Sequence, residues 1–225
     1  MAEIKEIEKF HIFSSVYFSS AVNRKQYVND GRKEIAFIGR SNVGKSSLIN
    51  SLFNQKGLAR VYNLCGQRKL ADVSREPGKT RTINYYAIQS RRTVDEQEQR
   101  QEWYLVDLPG YGFAKTSQEN KDTWSTFIDD YIKSSPSLVM VGLLIDLRHP
   151  GLPIDMKAYE WLREIAPSLV VIGTKEDKLK RNEARENLKK LNKLFPADYP
   201  AISYSSLNGD GRDSLYRLIE QKVCE

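Results

Sequence analysis

The sequence predicts an α/β fold in which a mostly parallel six-stranded sheet is flanked by helices. From residue 34 onward, short apolar runs alternate with longer amphipathic stretches, which is the pattern of βαβ units. The first apolar run leads directly into a glycine-rich loop and a helical pattern, the order of elements in P-loop NTPases. A length of 225 residues, of which 40% are hydrophobic, is enough for one elaborated domain with a substantial core.

Each element is predicted from its local pattern. Apolar runs bounded by Gly, Pro, Ser or Asp predict strands over Glu34–Gly39, Ile83–Gln89, Glu102–Asp107, Ser137–Asp146, Ser168–Thr174 and Ala201–Ser205. Apolar residues three or four positions apart predict helices over Lys45–Phe53, Ser117–Ser134, Ile154–Glu164, Asn182–Phe195 and Gly211–Val223. Strands and helices therefore alternate along most of the chain.

Three segments stand apart from this alternation. Residues 1–33 carry several aromatic and aliphatic side chains, so we expect an N-terminal extension that docks on the main domain, residues 34–225. Val61–Glu76 has the composition of irregular structure. The charged Ser90–Arg100 also reads as irregular, and we interpret it as a hairpin tip or a mobile loop.

Composition excludes several classes of protein. With 28% charged and 10% aromatic residues, the chain is not largely disordered, collagenous or coiled-coil. The longest apolar run, Leu138 to Ile145, is too short to span a bilayer, and the N-terminus lacks a signal-peptide pattern. We therefore expect a cytoplasmic protein without a membrane partner. Neither the two cysteines, Cys65 and Cys224, nor the two histidines have the spacing of a zinc site, and the net charge of +6 favours anionic partners.

A phosphate-binding loop is the strongest motif. The pattern GxxxxGK[ST] is matched by Gly39, Arg40, Ser41, Asn42, Val43, Gly44, Lys45 and Ser46. The glycines let backbone N–H groups wrap a phosphate, and the helix N-terminus adds positive potential. Lys45 is expected to reach the β- and γ-phosphates, and Ser46 to ligate Mg²⁺. A chance glycine-rich turn is disfavoured by the strand before the motif and the helix after it.

Two further segments fit the same chemistry. The apolar strand that ends in Asp107 is followed by Leu108, Pro109 and Gly110, so that Asp107 holds Mg²⁺ through water and Gly110 offers its N–H to the γ-phosphate. The segment Gly78, Lys79, Thr80, Arg81 and Thr82 offers Thr80 as a second hydroxyl ligand for Mg²⁺. A structural Pro-Gly turn is the alternative interpretation of this last segment.

The base-selecting motif is the sharpest signal of specificity. The predicted strand Ser168–Thr174 ends in the motif TKxD, which is matched by Thr174, Lys175, Glu176 and Asp177. Asp177 can accept hydrogen bonds from guanine N1–H and its 2-amino group, whereas adenine lacks both donors and would leave the carboxylate unpaired. Lys175 would lie along the base plane. The small residues after the next strand, Tyr204, Ser205 and Ser206, stand where backbone amides could reach guanine O6, which is a weak signal alone.

These five elements occur in the order of the small GTPases, and further details resemble one family. The segments GRSNVGKSSLIN, PGKTRTINYY, DLPGYGFAK, LLIDLRHP and GTKEDK, together with Trp124, Asp155 and Trp161-Leu162, closely resemble the EngB GTPases. The resemblance runs from about Ser19 to the C-terminal helix. The insertion within Val61–Glu76 and the long Ser90–Arg100 segment depart from the family pattern.

The resemblance implies a Ras-like G domain over residues 34–225. It also implies a Mg²⁺- and GTP-dependent factor for assembly of the large ribosomal subunit from rRNA and ribosomal proteins, with a consequent role in cell division and septation. The chain would act as a monomer. The residues that would support hydrolysis are Lys45, Thr80, Gly110 and Asn42. Asn42 is included because it resembles a P-loop asparagine that coordinates K⁺ in related GTPases. An Asn chosen only for its turn conformation remains the alternative.

Three questions stay open at this level. Tyr111 stands where Ras-like enzymes have a water-orienting Gln, so we expect slow intrinsic hydrolysis. The basic stripe, Arg181, Arg185, Lys189 and Lys193, could meet RNA phosphates, or it could be an ordinary solvated helix face. A GTP-gated RNA- or protein-binding module with incidental hydrolysis is the rival function, whereas an ATPase or kinase is disfavoured by TKxD.

Overall fold

The fold is described from a computed structural model. It describes residues 10–53, 82–112 and 118–225, with the side chains of 118–125 excluded. The strands are β1 (His11–Ala21), β2 (Lys33–Gly39), β3 (Ile83–Val94), β4 (Gln97–Asp107), β5 (Leu138–Asp146), β6 (Leu169–Thr174) and β7 (Ile202–Tyr204). The helices are α1 (Lys45–Phe53), α2 (Gln118–Ser134), α3 (Pro153–Ile165), α4 (Arg181–Leu194) and α5 (Arg212–Cys224).

All seven strands form one sheet, in the order β1-β3-β4-β2-β5-β6-β7. The pairs β4-β2, β2-β5, β5-β6 and β6-β7 are parallel, whereas β1-β3 and β3-β4 are antiparallel. The predicted α/β class with a mostly parallel sheet is confirmed. The predicted number of six strands is wrong, because β1 adds a seventh at the edge.

Strand β1 was not predicted from the sequence because its pairing with β3 is irregular. The register with β3 shifts between Ile12 and Ser14 and again between Tyr17 and Ser19. Each shift breaks the period of two that marks a strand, so apolar residues fall on both faces and the alternation disappears. The structure therefore includes residues 11–21 in the sheet itself, while the division of the chain at residue 33 stays a prediction.

Of the two interpretations of Ser90–Arg100, the hairpin is confirmed, but the expectation of irregular structure is wrong because most of the segment is strand. Strands β3 and β4 stay paired as far as Val94 and Gln97. Only Asp95 and Glu96 form the tip, both with positive φ (50° and 64°), the conformation of a two-residue hairpin turn. Strand β2 pairs with β4 only from Trp103 onward, so the outer part of the hairpin extends beyond the central sheet and is largely exposed. Its residues are almost all polar on both faces, and the alternation that predicts strands is absent there.

Helices cover both faces of the sheet. Leu48 and Leu52 of α1 join Leu215 and Ile219 of α5 in one core cluster with Phe37 of the sheet. The second cluster holds residues of α2, α3 and α4, among them Ile128, Leu162 and Leu191. The five predicted helices are confirmed, and their ends differ from the predicted ones by one residue at most, since caps and apolar spacing are local signals.

Candidate nucleotide-binding site

The candidate site lies along one edge of the sheet. Because β4, β2, β5, β6 and β7 are mutually parallel, their carboxyl ends meet at the same edge, where α/β proteins bind ligands. The strand-end residues there are Asp107, Gly39, Asp146, Thr174 and Tyr204. The predicted P-loop, DxxG and TKxD segments therefore follow three strands of one edge.

The P-loop joins β2 to α1 through a tight turn. Asn42 and Gly44 have positive φ (61° and 107°), and the Val43 N–H donates to the Arg40 carbonyl over 3.2 Å. A Cβ at Gly39 would lie 2.9 Å from the Leu144 carbonyl oxygen, so only glycine fits there. Helix α1 begins at Lys45, which leaves the N–H groups of its first turn directed at the edge, the geometry that binds anions.

Lys45 is held in place by Asp107. Its ammonium contacts the Oδ1 atom of Asp107, whose residue is 4% exposed at the end of β4. Burial lowers the pKa of Lys45, whereas the adjacent carboxylate favours its charged form. The predicted phosphate-binding lysine and the predicted metal-shell aspartate thus share one small space beside the P-loop.

The DxxG segment is tied to the P-loop through the backbone. The Tyr111 N–H donates to the Gly39 carbonyl over 3.1 Å, and the Ser41 N–H donates to the Tyr111 carbonyl over 3.2 Å. A Cβ at Gly110 would lie 2.9 Å from the same Gly39 carbonyl oxygen. The absence of a side chain at Gly110 therefore allows this loop to lie directly on the P-loop.

The TKxD segment also contacts the P-loop. The Thr174 hydroxyl donates to the Val43 carbonyl over 2.6 Å, and the Lys175 ammonium donates to the Asn42 carbonyl over 2.7 Å. Lys175 adopts the left-handed conformation (φ 63°), which turns the chain from β6 into the short helix Glu176–Lys178. The base-selecting and phosphate-binding loops are thereby fixed against one another.

Asp177 is positioned by the loop after β7. The Ser205 hydroxyl donates to Asp177 Oδ1 over 3.0 Å, and it accepts from the N–H groups of Leu207 and Asn208. The Asp177 side chain is 10% exposed and lies 3.3 Å from the Lys178 ammonium. Ser205 therefore lies beside Asp177, the carboxylate that the sequence predicts to select the base.

Asp146 is a buried carboxylate at this edge that motif reasoning did not single out as a site residue. Fully buried at the end of β5, it contacts Arg40 at 3.4 Å, Arg148 at 2.8 Å and Lys175 at 2.9 Å. Burial alone would raise its pKa, but the hydrogen bonds from Arg148 and Lys175 hold the pKa well below the ordinary range. An apolar strand that ends in aspartate at the ligand edge was the available signal.

Several predicted site residues have other surroundings than expected. The Tyr204 phenol lies in the core and hydrogen-bonds Ser51 over 2.7 Å, so only its backbone belongs to the edge. The Thr82 hydroxyl donates to Asn84 at the start of β3. Residues Gly78, Lys79, Thr80 and Arg81 lie outside the described residues, as does the insertion Val61–Glu76.

Among the described residues, no cluster of three or more His, Cys, Asp or Glu side chains could hold a metal. In nucleotide sites Mg²⁺ takes one or two protein oxygens and otherwise phosphate and water. Ser46 in the first turn of α1, near the Lys45–Asp107 pair, is a hydroxyl suited to that donor set. The residues present therefore fit the ion.

The basic stripe lies on the exposed face of α4. Arg181, Arg185, Lys189 and Lys193 are exposed, while Ala184, Asn187 and Leu191 are buried on the opposite side. Lys189 pairs with Glu186 at 3.1 Å. In the part of the chain that the structure describes, no helix has the length and apolar character needed to cross a bilayer.

Comparison with known proteins establishes the class. The family described as 50S ribosome-binding GTPase matches residues 34–175, from the start of β2 to the lysine of TKxD. Solved structures share the fold: one titled as a probable GTP-binding protein engB has a TM-score of 0.59 at 24% identity, covering 85% of this chain and 98% of that one. Era from Aquifex aeolicus bound to GDP.AlF4⁻ has a TM-score of 0.61 at 19% identity, covering 84% and 56%. The fold and site are those of a P-loop GTPase, a GTP-hydrolysing enzyme.

Relatives of higher identity narrow the class. The probable GTP-binding protein EngB of Clostridium perfringens (strain SM101) is 42% identical over 216 residues, which cover 95% of this chain and 98% of the relative. A protein of the same name from Alkaliphilus metalliredigens is 40% identical, covering 92% and 89%. The chain belongs to the EngB family of GTP-binding proteins.

Proposed function

We propose that this GTPase is a Mg²⁺-dependent switch for assembly of the large ribosomal subunit, and that it supports cell division through that role. One observation carries the proposal: the DxxG and TKxD segments each contact the P-loop at a single edge of the sheet. The description of the matching family as ribosome-binding supports the choice of partner.

In this proposal, Asp177 selects guanine. Its carboxylate would accept from N1–H and the 2-amino group, with the Ser205 hydroxyl holding one oxygen in place. An adenine base offers neither donor, so the buried carboxylate would lose its partners. Lys175, fixed by Asn42 and Asp146, would lie along the base, and the backbone of Tyr204, Ser205 and Ser206 would approach O6.

Phosphate and metal binding would fall to the other loops. Backbone N–H groups from Gly39 to Ser46 would surround the phosphates, while Lys45, Ser46, Gly110 and Thr80 would contact phosphate oxygens or Mg²⁺. When bound, Mg²⁺ neutralises charge that develops on the phosphates. Asp107, which contacts Lys45, would accept from a metal-bound water.

Hydrolysis without a partner would be slow. The Tyr111 phenol is buried and donates to Asp155 instead of facing the site, so it does not orient an attacking water. Asn42 has the left-handed conformation expected of a turn residue, and its side chain is exposed. A role of Asn42 in K⁺ binding is therefore a separate element of the proposal, which hydrolysis rates in K⁺ and Na⁺ would test with Asn42→Ala.

The nucleotide experiment is a competition assay with the full chain. GDP and GTP are expected to displace a fluorescent guanine nucleotide at concentrations roughly 10⁴-fold below ATP, because one unpaired polar group discriminates by about that factor. Asp177→Asn should shift preference toward xanthine nucleotides, whereas Asp213→Asn, an exposed carboxylate of α5, should change nothing. Equal displacement by ATP and GTP in the wild type would contradict the assignment.

The partner experiment is sedimentation with purified large ribosomal subunits. We expect more protein in the pellet with a non-hydrolysable GTP analogue than with GDP, and less as salt rises, because phosphate contacts release counterions. Reversing Arg185 and Lys189 to Glu should weaken binding at unchanged GTP affinity. Lys157→Glu with Arg163→Glu on exposed positions of α3 is the matched control.

A single-turnover hydrolysis assay with and without large ribosomal subunits distinguishes the proposed GTPase switch from the rival function. If subunits leave the single-turnover hydrolysis rate unchanged, the protein is a GTP-gated binding module with incidental hydrolysis. Pelleting that ignores both the nucleotide and the salt concentration would remove the ribosomal part of the proposal and leave the GTPase.

A further inference from the structure

A buried hydrogen bond joins the loop after DxxG to helix α3. Tyr111, 8% exposed, directly follows Gly110, and its hydroxyl donates to Asp155 Oδ1 over 2.8 Å. Asp155 lies in the first turn of α3 and is fully buried. Such a bond to a carboxylate is stronger than one between neutral groups. The position of the DxxG loop is thus linked to a helix that carries none of the predicted nucleotide-binding residues.

Arg40 of the P-loop approaches the same carboxylate. Its Nε atom lies 3.8 Å from Asp155 Oδ2, and its Nη2 atom lies 3.4 Å from Asp146 Oδ2. Asp146 in turn accepts from Lys175 of TKxD over 2.9 Å. Hydrogen bonds and ion pairs therefore connect Tyr111 through Asp155, Arg40 and Asp146 to Lys175.

One contact in this series is incomplete. Arg40 Nε and Asp155 Oδ2 are both buried, and neither has a hydrogen-bond partner within the described part of the chain. An unpaired buried donor beside an unpaired buried acceptor is costly for both groups, and a relative shift of about 1 Å would pair them. The guanidinium and the carboxylate are therefore placed to tighten when the loops move closer together.

We propose that Asp155, through Tyr111 on one side and Arg40 on the other, is a positioning residue that holds the DxxG loop against the P-loop and so strengthens the preference for GTP over GDP. The inference rests on the proposed GTP switch and deepens it. It assigns a role to a residue outside the nucleotide motifs, acting through Tyr111 and Arg40 and not on the nucleotide itself.

The direction of the effect follows from which nucleotide needs the loop. The Gly110 N–H is expected to contact only the γ-phosphate, so a loop already held at the P-loop loses less conformational freedom when GTP binds. GDP lacks that phosphate and gains nothing from the position of Gly110. Loosening the loop should therefore weaken GTP binding and leave GDP binding nearly unchanged.

The test is a double-variant cycle on nucleotide affinity in the full chain. Tyr111→Phe and Asp155→Ala are each expected to weaken a non-hydrolysable GTP analogue about tenfold, the usual size of one lost hydrogen bond to a charged group, and GDP less than about twofold. The double variant should be no weaker than the worse single variant, because both remove the same bond. Asp155→Leu, which has a similar shape but no hydrogen-bond acceptor, replaces Asp155→Ala if the alanine variant fails to fold.

A matched control removes a tyrosine hydroxyl from α3, the helix that carries Asp155. Tyr159→Phe loses the hydrogen bond from its phenol to the Pro196 carbonyl, 2.6 Å long, and should leave the ratio of GTP to GDP affinity unchanged. Equal losses for both nucleotides, or fully additive losses in the double variant, would overturn the inference. The wild type's preference for guanine over adenine is measured in parallel, so a failure of the proposed function is recognised separately.

Discussion

Two buried carboxylates lie at opposite ends of neighbouring parallel strands. Glu34 is 1% exposed near the start of β2, and Asp146 is fully buried at the end of β5. Both belong to the same sheet, and they are the same chemical group. Their partners differ completely, and the difference separates the nucleotide edge of the sheet from the opposite edge.

Glu34 has neutral hydroxyl partners. Its Oε2 atom accepts from the Tyr131 hydroxyl over 2.6 Å and from the Ser135 hydroxyl over 2.9 Å. Burial raises the pKa of Glu34, and these two hydrogen bonds oppose the increase only in part. At this edge the fold favours the uncharged form of a buried acid.

Asp146 keeps its charge because three cationic side chains surround it. Arg40, Arg148 and Lys175 all contact its Oδ2 atom, and the hydrogen bonds from Arg148 and Lys175 hold its pKa well below the ordinary range despite burial. The two carboxylates differ because cations converge on Asp146, whereas hydroxyl groups contact Glu34. At the nucleotide edge Asp146 fixes Arg40 of the P-loop and Lys175 of TKxD together.

The largest effect is expected for Asp146→Asn. Removing one partner from a buried ionic cluster typically costs about 3 kcal/mol, because the other charges lose their compensation. We expect that loss in urea unfolding, together with at least about a tenfold weaker GDP affinity as Lys175 loses its position. Full GDP affinity in a folded variant would show that Asp146 is not the organising residue.

A smaller effect is expected for Tyr131→Phe at the opposite edge. The change removes one donor to Glu34, which should cost about 1–2 kcal/mol of stability and leave nucleotide affinity unchanged. The control is Tyr27→Phe. The Tyr27 ring packs against Tyr131, and its hydroxyl donates to the Phe127 carbonyl over 3.2 Å instead of to Glu34. A change in GDP affinity would argue against separate roles for the two edges.

The pH dependence of Glu34→Gln tests the charge states. The raised pKa of Glu34 stabilises the fold below the ordinary Glu pKa, and that contribution is lost as pH rises toward the raised value. The variant lacks this titration. Its stability relative to wild type, measured by urea unfolding, should therefore increase as pH rises above the ordinary Glu pKa. The opposite slope would mean that the fold lowers the pKa of Glu34.

The smallest effect is expected at the surface. Lys189→Ala removes an exposed pair with Glu186 on α4, and surface pairs contribute less than about 0.5 kcal/mol. Thermal unfolding should hardly change. A loss of stability as large as that of Tyr131→Phe would show that the exposed charges of α4 stabilise the fold as much as the buried hydrogen bonds do.

The sequence by itself determined the local parts of this protein. The P-loop and α1 follow from residues adjacent in the chain: GxxxxGK[ST] is matched without a gap from Gly39 to Ser46, and apolar residues recur at helical spacing after Lys45. The strands that end in Asp107 and Thr174 were predicted for the same reason, since burial on both faces produces continuous apolar runs. Such signals need no knowledge of distant residues.

Only the tertiary structure decided which distant residues meet. The edge strand β1 lost its alternation to two register shifts, and the outer β3–β4 hairpin covers no core, so neither had a periodic signal. The directions of the Tyr204 and Tyr111 side chains depend on Ser51 and Asp155, which lie 153 and 44 residues away in the chain. The cluster at Asp146 exists because the sheet order places β2, β5 and β6 side by side, and charge pairing depends on distance in space, which one-dimensional patterns do not contain.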